Sequence, residues 1–208
     1  MKKLLLTALI AFCLSSPALA EESIFGDPHD WMIRVRAIDV HPDSDSSIAG
    51  LAPGTEVDVD RQIVPEIDFT YFFDDHLAAE LIVAVSRHSV ATTTGVNLGN
   101  VLVIPPQLTF QYHFLPDNEY IRPYAGVGGG YLFFVDENPG AVNDIDYDDG
   151  FSFTLQIGAD FPIDENWSFN ADLKRIYHNV DATINGGAIT ADVDLDPWVI
   201  GFGVGYRF

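Results

Sequence analysis

The sequence predicts an all-β fold: an eight-stranded antiparallel transmembrane β-barrel with short periplasmic turns and long extracellular loops. Three observations predict it. The 208-residue chain is 48% hydrophobic and 12% aromatic, yet it carries 31 Asp and Glu against 10 Lys and Arg. It opens with what reads as an export signal. Its apolar residues then recur at every second position in eight segments, a spacing that puts them on one face of a strand.

The export signal comprises Lys2 and Lys3, the apolar run Leu4–Leu14, and Ala18-Leu19-Ala20. This pattern predicts cleavage after Ala20, leaving residues 21–208 as a single barrel domain. The segment 1–20 also takes away two basic residues and the only cysteine, Cys13, whose neighbour Phe12 does not suit lipid attachment. What remains is strongly acidic, which argues against nucleic acid, since phosphates require a basic surface. Without cysteine there is no disulfide framework and no thiol chemistry. The longest mature stretch free of Asp, Glu, Lys and Arg is Ser89–Pro116, and it contains Pro105-Pro106 and two glycines. It is therefore not an apolar helix of ~20 residues.

The eight segments follow in order. The first alternates Trp31, Ile33, Val35 and Ala37 with Met32, Arg34, Arg36 and Ile38. The second alternates Ile63, Pro65, Ile67, Phe69, Tyr71 and Phe73 with Gln62, Val64, Glu66, Asp68 and Thr70. The third sets Leu77, Ala79, Leu81, Val83 and Val85 against Ala78, Glu80, Ile82, Ala84, Ser86 and His88. The fourth sets Leu102 through Phe114 at even positions against Val103, Pro105, Gln107, Thr109, Gln111 and His113. In the fifth, Pro123, Ala125, Val127, Tyr131 and Phe133 oppose Arg122, Tyr124, Gly126, Gly128, Gly130, Leu132 and Phe134. The sixth alternates Phe151–Phe161 at odd positions with Ser152, Thr154, Gln156, Gly158 and Asp160. The seventh starts at Trp167, with Asn170, Asp172 and Lys174 on its polar face. The eighth opposes Trp198, Ile200, Phe202, Val204, Tyr206 and Phe208 to Val199, Gly201, Gly203, Gly205 and Arg207.

Connections alternate too. Those near 74–76, 116–119 and 162–166 are tight, and those near 41–58, 89–100, 136–150 and 180–194 are long. Short turns on one side and long loops on the other form the outer-membrane pattern. Aromatic residues cluster at both ends of the segments, as interfacial girdles do. The ending Gly205-Tyr206-Arg207-Phe208 resembles an assembly signal, with Tyr206 and Phe208 read by barrel-insertion machinery.

Several of these segments together resemble the OmpW (outer membrane protein W) family. They are Leu195-Asp196-Pro197-Trp198-Val199 with the chain end, Ile121–Gly128, Ile104–Leu108, and Arg36 followed by Val40 and Pro42. The resemblance implies a small barrel in the outer membrane of a Gram-negative cell, surrounded by lipid and lipopolysaccharide. It also implies binding or passage of small hydrophobic molecules, with no particular ligand specified.

An eight-stranded barrel is filled by side chains or holds one small ligand. The lower and middle levels of the inward face place Arg34, Arg36, Arg122, Lys174 and Arg207 opposite Glu66, Asp68, Glu80, Asp160 and Asp172. Five charges of each sign suggest a paired plug rather than an ion path, because an unpaired buried charge costs several kcal/mol. Nearer the long loops, Ile38, Val64, Val103, Leu132, Phe134, Ile176 and Val199 point inward, with Ile82 lower down. Ordinary packing and a ligand pocket account equally well for these residues. An apolar pocket above a charged plug would have its exit sideways. Pro105 and Pro106 mark a candidate lateral opening, since they remove two ladder donors. The alternative is that these prolines merely end strand pairing.

Other chemistry reads poorly. Ser86, His88 and Glu80 share an inward face, but positions i and i+2 lie about 7 Å apart along a strand, too far for a nucleophile and its base. Asp144–Gly150 imitates a calcium loop but misplaces its glycine and has Leu155 at the twelfth position. The expectation is a passive conduit for small hydrophobic molecules, not an enzyme, with no cofactor and no metal. The alternative is a structural or receptor barrel whose extracellular loops bind hosts, phages or toxins. An open apolar upper lumen favours the first; a fully plugged polar lumen favours the second.

Overall fold

The computed structural model describes residues 30–50 and 54–208; the signal segment and cleavage site expected within residues 1–20 lie outside them. The strands, in chain order, are β1 (Trp31–His41), β2 (Ser44–Ala49), β3 (Val57–Val59), β4 (Gln62–Phe72), β5 (Leu77–Ala84), β6 (Ser86–Thr92), β7 (Asn97–Ile104), β8 (Gln107–His113), β9 (Arg122–Pro139), β10 (Ile145–Tyr147), β11 (Gly150–Pro162), β12 (Trp167–Ile184), β13 (Ile189–Leu195) and β14 (Trp198–Arg207). Among the described residues no helix is long and apolar enough to cross a membrane.

These segments form eight wall strands, all antiparallel. Pairing runs from β14 to β1, β4, β5, β8, β9, β11 and β12, and β12 pairs back with β14. The barrel is closed, so each wall strand among the described residues has a neighbour on both sides to pair with its N–H and C=O groups. β5 and β6 are the two halves of one wall strand, and β8 and β7 are the halves of the next.

Alternation fixes the two faces. Ile67, Phe110, Val127, Ile157, Phe169 and Phe202 are exposed on the outside, while Arg34, Asp68, Glu80 and Thr109 are fully buried inside. A continuous exposed apolar surface over a polar interior suits lipid outside and would be unstable in water. Aromatic residues gather at the tight-turn end, where Trp31 meets Tyr71, Tyr71 meets Phe73, and Tyr206 meets both Trp167 and Phe208. At the other end the Arg175 guanidinium lies 5.0 Å from the Trp198 ring centroid and 5.7 Å from that of Tyr177.

Two tight turns use the same device. The Asp74 carboxylate accepts the His76 and Leu77 N–H groups, each at 2.7 Å. Asp164 accepts those of Asn166 and Trp167 at 2.9 and 2.7 Å. An Asp side chain that mimics a main-chain turn in this way favours reversal of the chain. The donated hydrogen bonds hold both carboxyls below the usual carboxylate range.

The long connections are present, and much of their length is itself strand. β13 pairs with β12 and β2, β10 pairs with β12, and β3 pairs with β6. Val57, Val90, Leu98, Phe134, Ile145, Ile184 and Val193 pack together within this outer extension. The extension is therefore a continuation of the barrel with its own apolar core.

Candidate functional site

The middle of the barrel is crossed by an ionic network. Arg34 holds Asp160 with two nitrogens, at 3.1 and 2.8 Å, and donates to Thr70 at 2.7 Å. Arg36 reaches Glu66 at 2.8 Å, Glu80 at 2.6 Å and Asp68 at 3.0 Å. Lys174 bridges Glu66 at 2.8 Å and Asp172 at 2.7 Å. Each member is buried.

The expected balance of five cations and five carboxylates is corrected here. Among the described residues, the ion pairs of this layer join three cations, Arg34, Arg36 and Lys174, to five carboxylates. Arg122 opens β9 and Arg207 closes β14, so both sit at the tight-turn end. The Arg122 Nε donates to the Asn118 carbonyl at 3.1 Å, and the Arg207 guanidinium stands 4.1 Å from the Phe72 ring centroid. Neutral donors serve the carboxylates in place of the missing cations. Glu80 accepts from Gln111 and Gln156, Asp160 from Asn170, and Asp172 from Tyr124 and Gln156. The sequence placed Tyr124, Gln111 and Gln156 on the inward face, but only the structure shows them completing this network.

Glycines make room for these large side chains. A Cβ at Gly205 would come within 3.1 Å of Arg34 Cγ. One at Gly203 would collide with the Val35 carbonyl, and one at Gly158 with the Tyr124 ring. Gly205 and Gly203 of β14 thus leave the space into which Arg34 and Arg36 lie, and Gly158 of β11 leaves that for Tyr124.

Outward of the network is an apolar chamber whose envelope, open solvent included, spans about 1120 Å³. Ile38, Val64, Ile82, Val103, Leu132, Phe134, Ile176 and Val199 all line it. Val57, Val90, Val101, Val180 and Val193 extend it outward. The floor is Glu66, Gln107 and Lys174, the upper members of the polar layer.

The wall beside this chamber is interrupted. β5 pairs with β8 up to Ile82 and Gln107, and β6 pairs with β7 from Ser86 and Val103. Between them, residues 83–85 and 104–106 are not paired with each other. Pro105 and Pro106 lie in this gap, and Pro105 lines the chamber. On the neighbouring seam, β4 and β5 stop pairing at Glu66 and Ala84. A backbone bond from Asp60 N–H to the Ser89 carbonyl, 3.2 Å, lies beyond that break.

Ser86 and His88 are closer than the strand spacing suggested. His88 Nε2 lies 3.0 Å from Ser86 Oγ. Main-chain separation sets where side chains start, and here the two lean together over the intervening residue. Among the described residues no group of His, Cys, Asp and Glu is arranged to hold a metal ion. The acidic run near 144–149 fastens main chain instead: Asp144 accepts the Gly186 N–H at 2.9 Å and Asp149 accepts the Phe134 N–H at 2.7 Å. Tyr206 and Phe208, the expected assembly signal, pack edge to face at the tight-turn rim.

Three comparisons with known proteins bear on this geometry. A family model described as "OmpW family" matches residues 28–208. The "Uncharacterized outer-membrane protein y4mB" of Sinorhizobium fredii is 36% identical, over 94% of this chain and 88% of its own. The "Dibenzothiophene metabolism operon protein PahQ" of Pseudomonas aeruginosa is 27% identical, over 95% of this chain and 94% of its own. Among solved structures, the outer membrane protein OprG of Pseudomonas aeruginosa superposes with a TM-score of 0.80 at 29% identity, covering 86% of this chain and 95% of that one.

Proposed function

The chain belongs to the OmpW family of outer-membrane β-barrels, and from that premise we propose that it is a passive route for small hydrophobic molecules into the outer membrane. The observation that carries this reading is the apolar chamber on the outer side of the barrel, floored by a salt-bridged layer. A molecule that buries about 150 Å² of apolar surface there gains roughly 4 kcal/mol over water at ~25 cal/mol per Å². The same molecule gains about as much in hydrocarbon. The chamber therefore holds it without trapping it, and transfer onward into lipid needs no energy source.

Straight descent meets Arg34, Arg36 and Lys174 locked to their carboxylates. Pushing an apolar molecule through that layer would break several buried ion pairs. The exit is instead sideways, through the unpaired stretch at Pro105 and Pro106, with Leu132 on the path. The relative named for dibenzothiophene metabolism supports a hydrophobic cargo, since dibenzothiophene is an apolar fused-ring compound.

The test is uptake of a hydrophobic fluorescent probe by cells lacking the protein, cells expressing it, and cells expressing Leu132→Arg at matched outer-membrane levels. The expected result is faster uptake with the protein, abolished by the charged substitution. Equal uptake in all three overturns the conduit and moves the function to the extracellular surface, as a receptor or structural barrel.

A further inference from the structure

Of the polar residues lining the chamber, Glu66, Gln107 and Lys174 are engaged with other side chains at its floor. Tyr147 lies in the outer extension with its ring stacked on Phe134. Between floor and extension stands one polar pair, Ser86 and His88, both buried and both on the chamber wall. Their partners across the ladder, Val103 and Val101, are apolar.

The hydrogen bonds fix what this pair presents. His88 Nδ1 lies 3.0 Å from the Asp60 main-chain carbonyl, which can only accept. In the neutral ring Nδ1 therefore carries the proton, and Nε2 is the acceptor for the Ser86 hydroxyl at 3.0 Å. Asp60 is itself held, its carboxylate accepting the Ser89 N–H at 2.7 Å and the Gln62 amide at 2.6 Å. The one hydroxyl proton of Ser86 is thus committed to His88, while the Ser86 oxygen keeps lone pairs. Between the floor and the outer extension the wall thus offers an acceptor and no spare donor, while the Tyr147 hydroxyl belongs to the extension above.

We propose that the chamber selects neutral, hydroxyl-bearing hydrophobes, such as long-chain alcohols or hydroxylated rings, which donate to Ser86 Oγ while the apolar body packs on the valines and Ile38. This rests on the reading of the chamber as a hydrophobe site and names the class of molecule it takes. An alkane leaves the Ser86 oxygen unmatched in a dry site. A ketone finds no free donor at this pair unless the Ser86–His88 bond breaks. A carboxylate meets the Asp60 charge nearby, and the Lys174 ammonium is already held by Glu66 and Asp172.

The experiment uses the full-length protein in lipid nanodiscs loaded with a naphthalene-type apolar fluorophore. Displacement by decane, 1-decanol, 2-decanone and decanoate is measured, each corrected for its partitioning into protein-free nanodiscs. The expected result is that 1-decanol displaces at about fivefold lower membrane concentration than decane, the size of one neutral hydrogen bond, with decanoate weakest. Ser86→Ala makes decanol and decane equal. His88→Leu releases the Ser86 proton, so 2-decanone gains on decane. A wild-type protein that loads the fluorophore but shows no preference for the alcohol overturns this proposal and leaves the hydrophobe site standing. An alcohol preference that survives Ser86→Ala overturns it as well. Failure of the wild-type protein to load the fluorophore overturns both.

Discussion

Glu80 shows how much a buried carboxylate requires of its surroundings: it accepts from Arg36 and Arg34 and from the amides of Gln111 and Gln156. Arg36 lies within 3.0 Å of three carboxylates, so Arg36→Leu takes a cation from Glu66, Asp68 and Glu80 together. We expect a loss of about 3–5 kcal/mol, the range for breaking a buried pair, read as a lower urea midpoint for unfolding from lipid vesicles. Arg207→Leu, at the rim over Phe72, should cost only about 1 kcal/mol in the same assay. The contrast tests the corrected membership of the plug. The correction also shows what a sequence can and cannot tell at this scale. Alternation by two assigns a side chain to a face, which is why Arg34 and Ile38 could be read as inward. It does not assign height, and Arg122 and Arg207 share the inward face yet lie beyond the network. Nor does it give side-chain reach, which is why Ser86 and His88 were placed too far apart.

The tight turns and the broken seam carry the predictions at the level of elements. Asp74 and Asp164 have depressed pKa values in the folded turns, so the folded state binds fewer protons than the unfolded chain. Their contribution is complete above the ordinary carboxylate pKa, near ~4, and is lost as pH falls through the folded values. Asp74→Asn with Asp164→Asn keeps an acceptor in each turn and removes this titration. The difference in unfolding midpoint between variant and wild type should therefore shrink as the pH is lowered from neutrality. At the seam, replacing Pro105 and Pro106 by valine restores two N–H donors, that of residue 105 toward residues 83–85 and that of residue 106 toward β9, where the Pro106 carbonyl already accepts the Tyr131 N–H. Slower exchange of the amide hydrogens there, together with several-fold slower probe uptake, is expected; unchanged uptake would remove this seam from the route. The prolines were legible as a weakness from sequence alone. The matching break between β4 and β6 was not, because it depends on where pairing stops across two strands distant in sequence.

For the molecule as a whole, the lipid belt is the most legible property, since Ile157, Phe110 and Phe202 repeat one rule around the barrel. Ile157→Arg, near the middle of its strand, should destabilise the inserted barrel by about 2–4 kcal/mol, measured by reversible unfolding from vesicles. The outer extension was less legible. Its strands pair segments far apart in sequence, such as β13 with β2, and its apolar residues do not alternate over a full wall strand. Its length nonetheless has a consequence. β12 runs 18 residues, which at ~3.3 Å each is about 59 Å, or roughly 45 Å of height at ~40° tilt, against an apolar band of about 25 Å. Around 20 Å of barrel therefore rises clear of the hydrocarbon, into the depth occupied by the sugars of lipopolysaccharide. On the proposed route, carbohydrate is the forbidding layer for an oily molecule, and lipid is its destination. The protein then works as a chimney through the sugar coat, and its output is delivered where the coat ends.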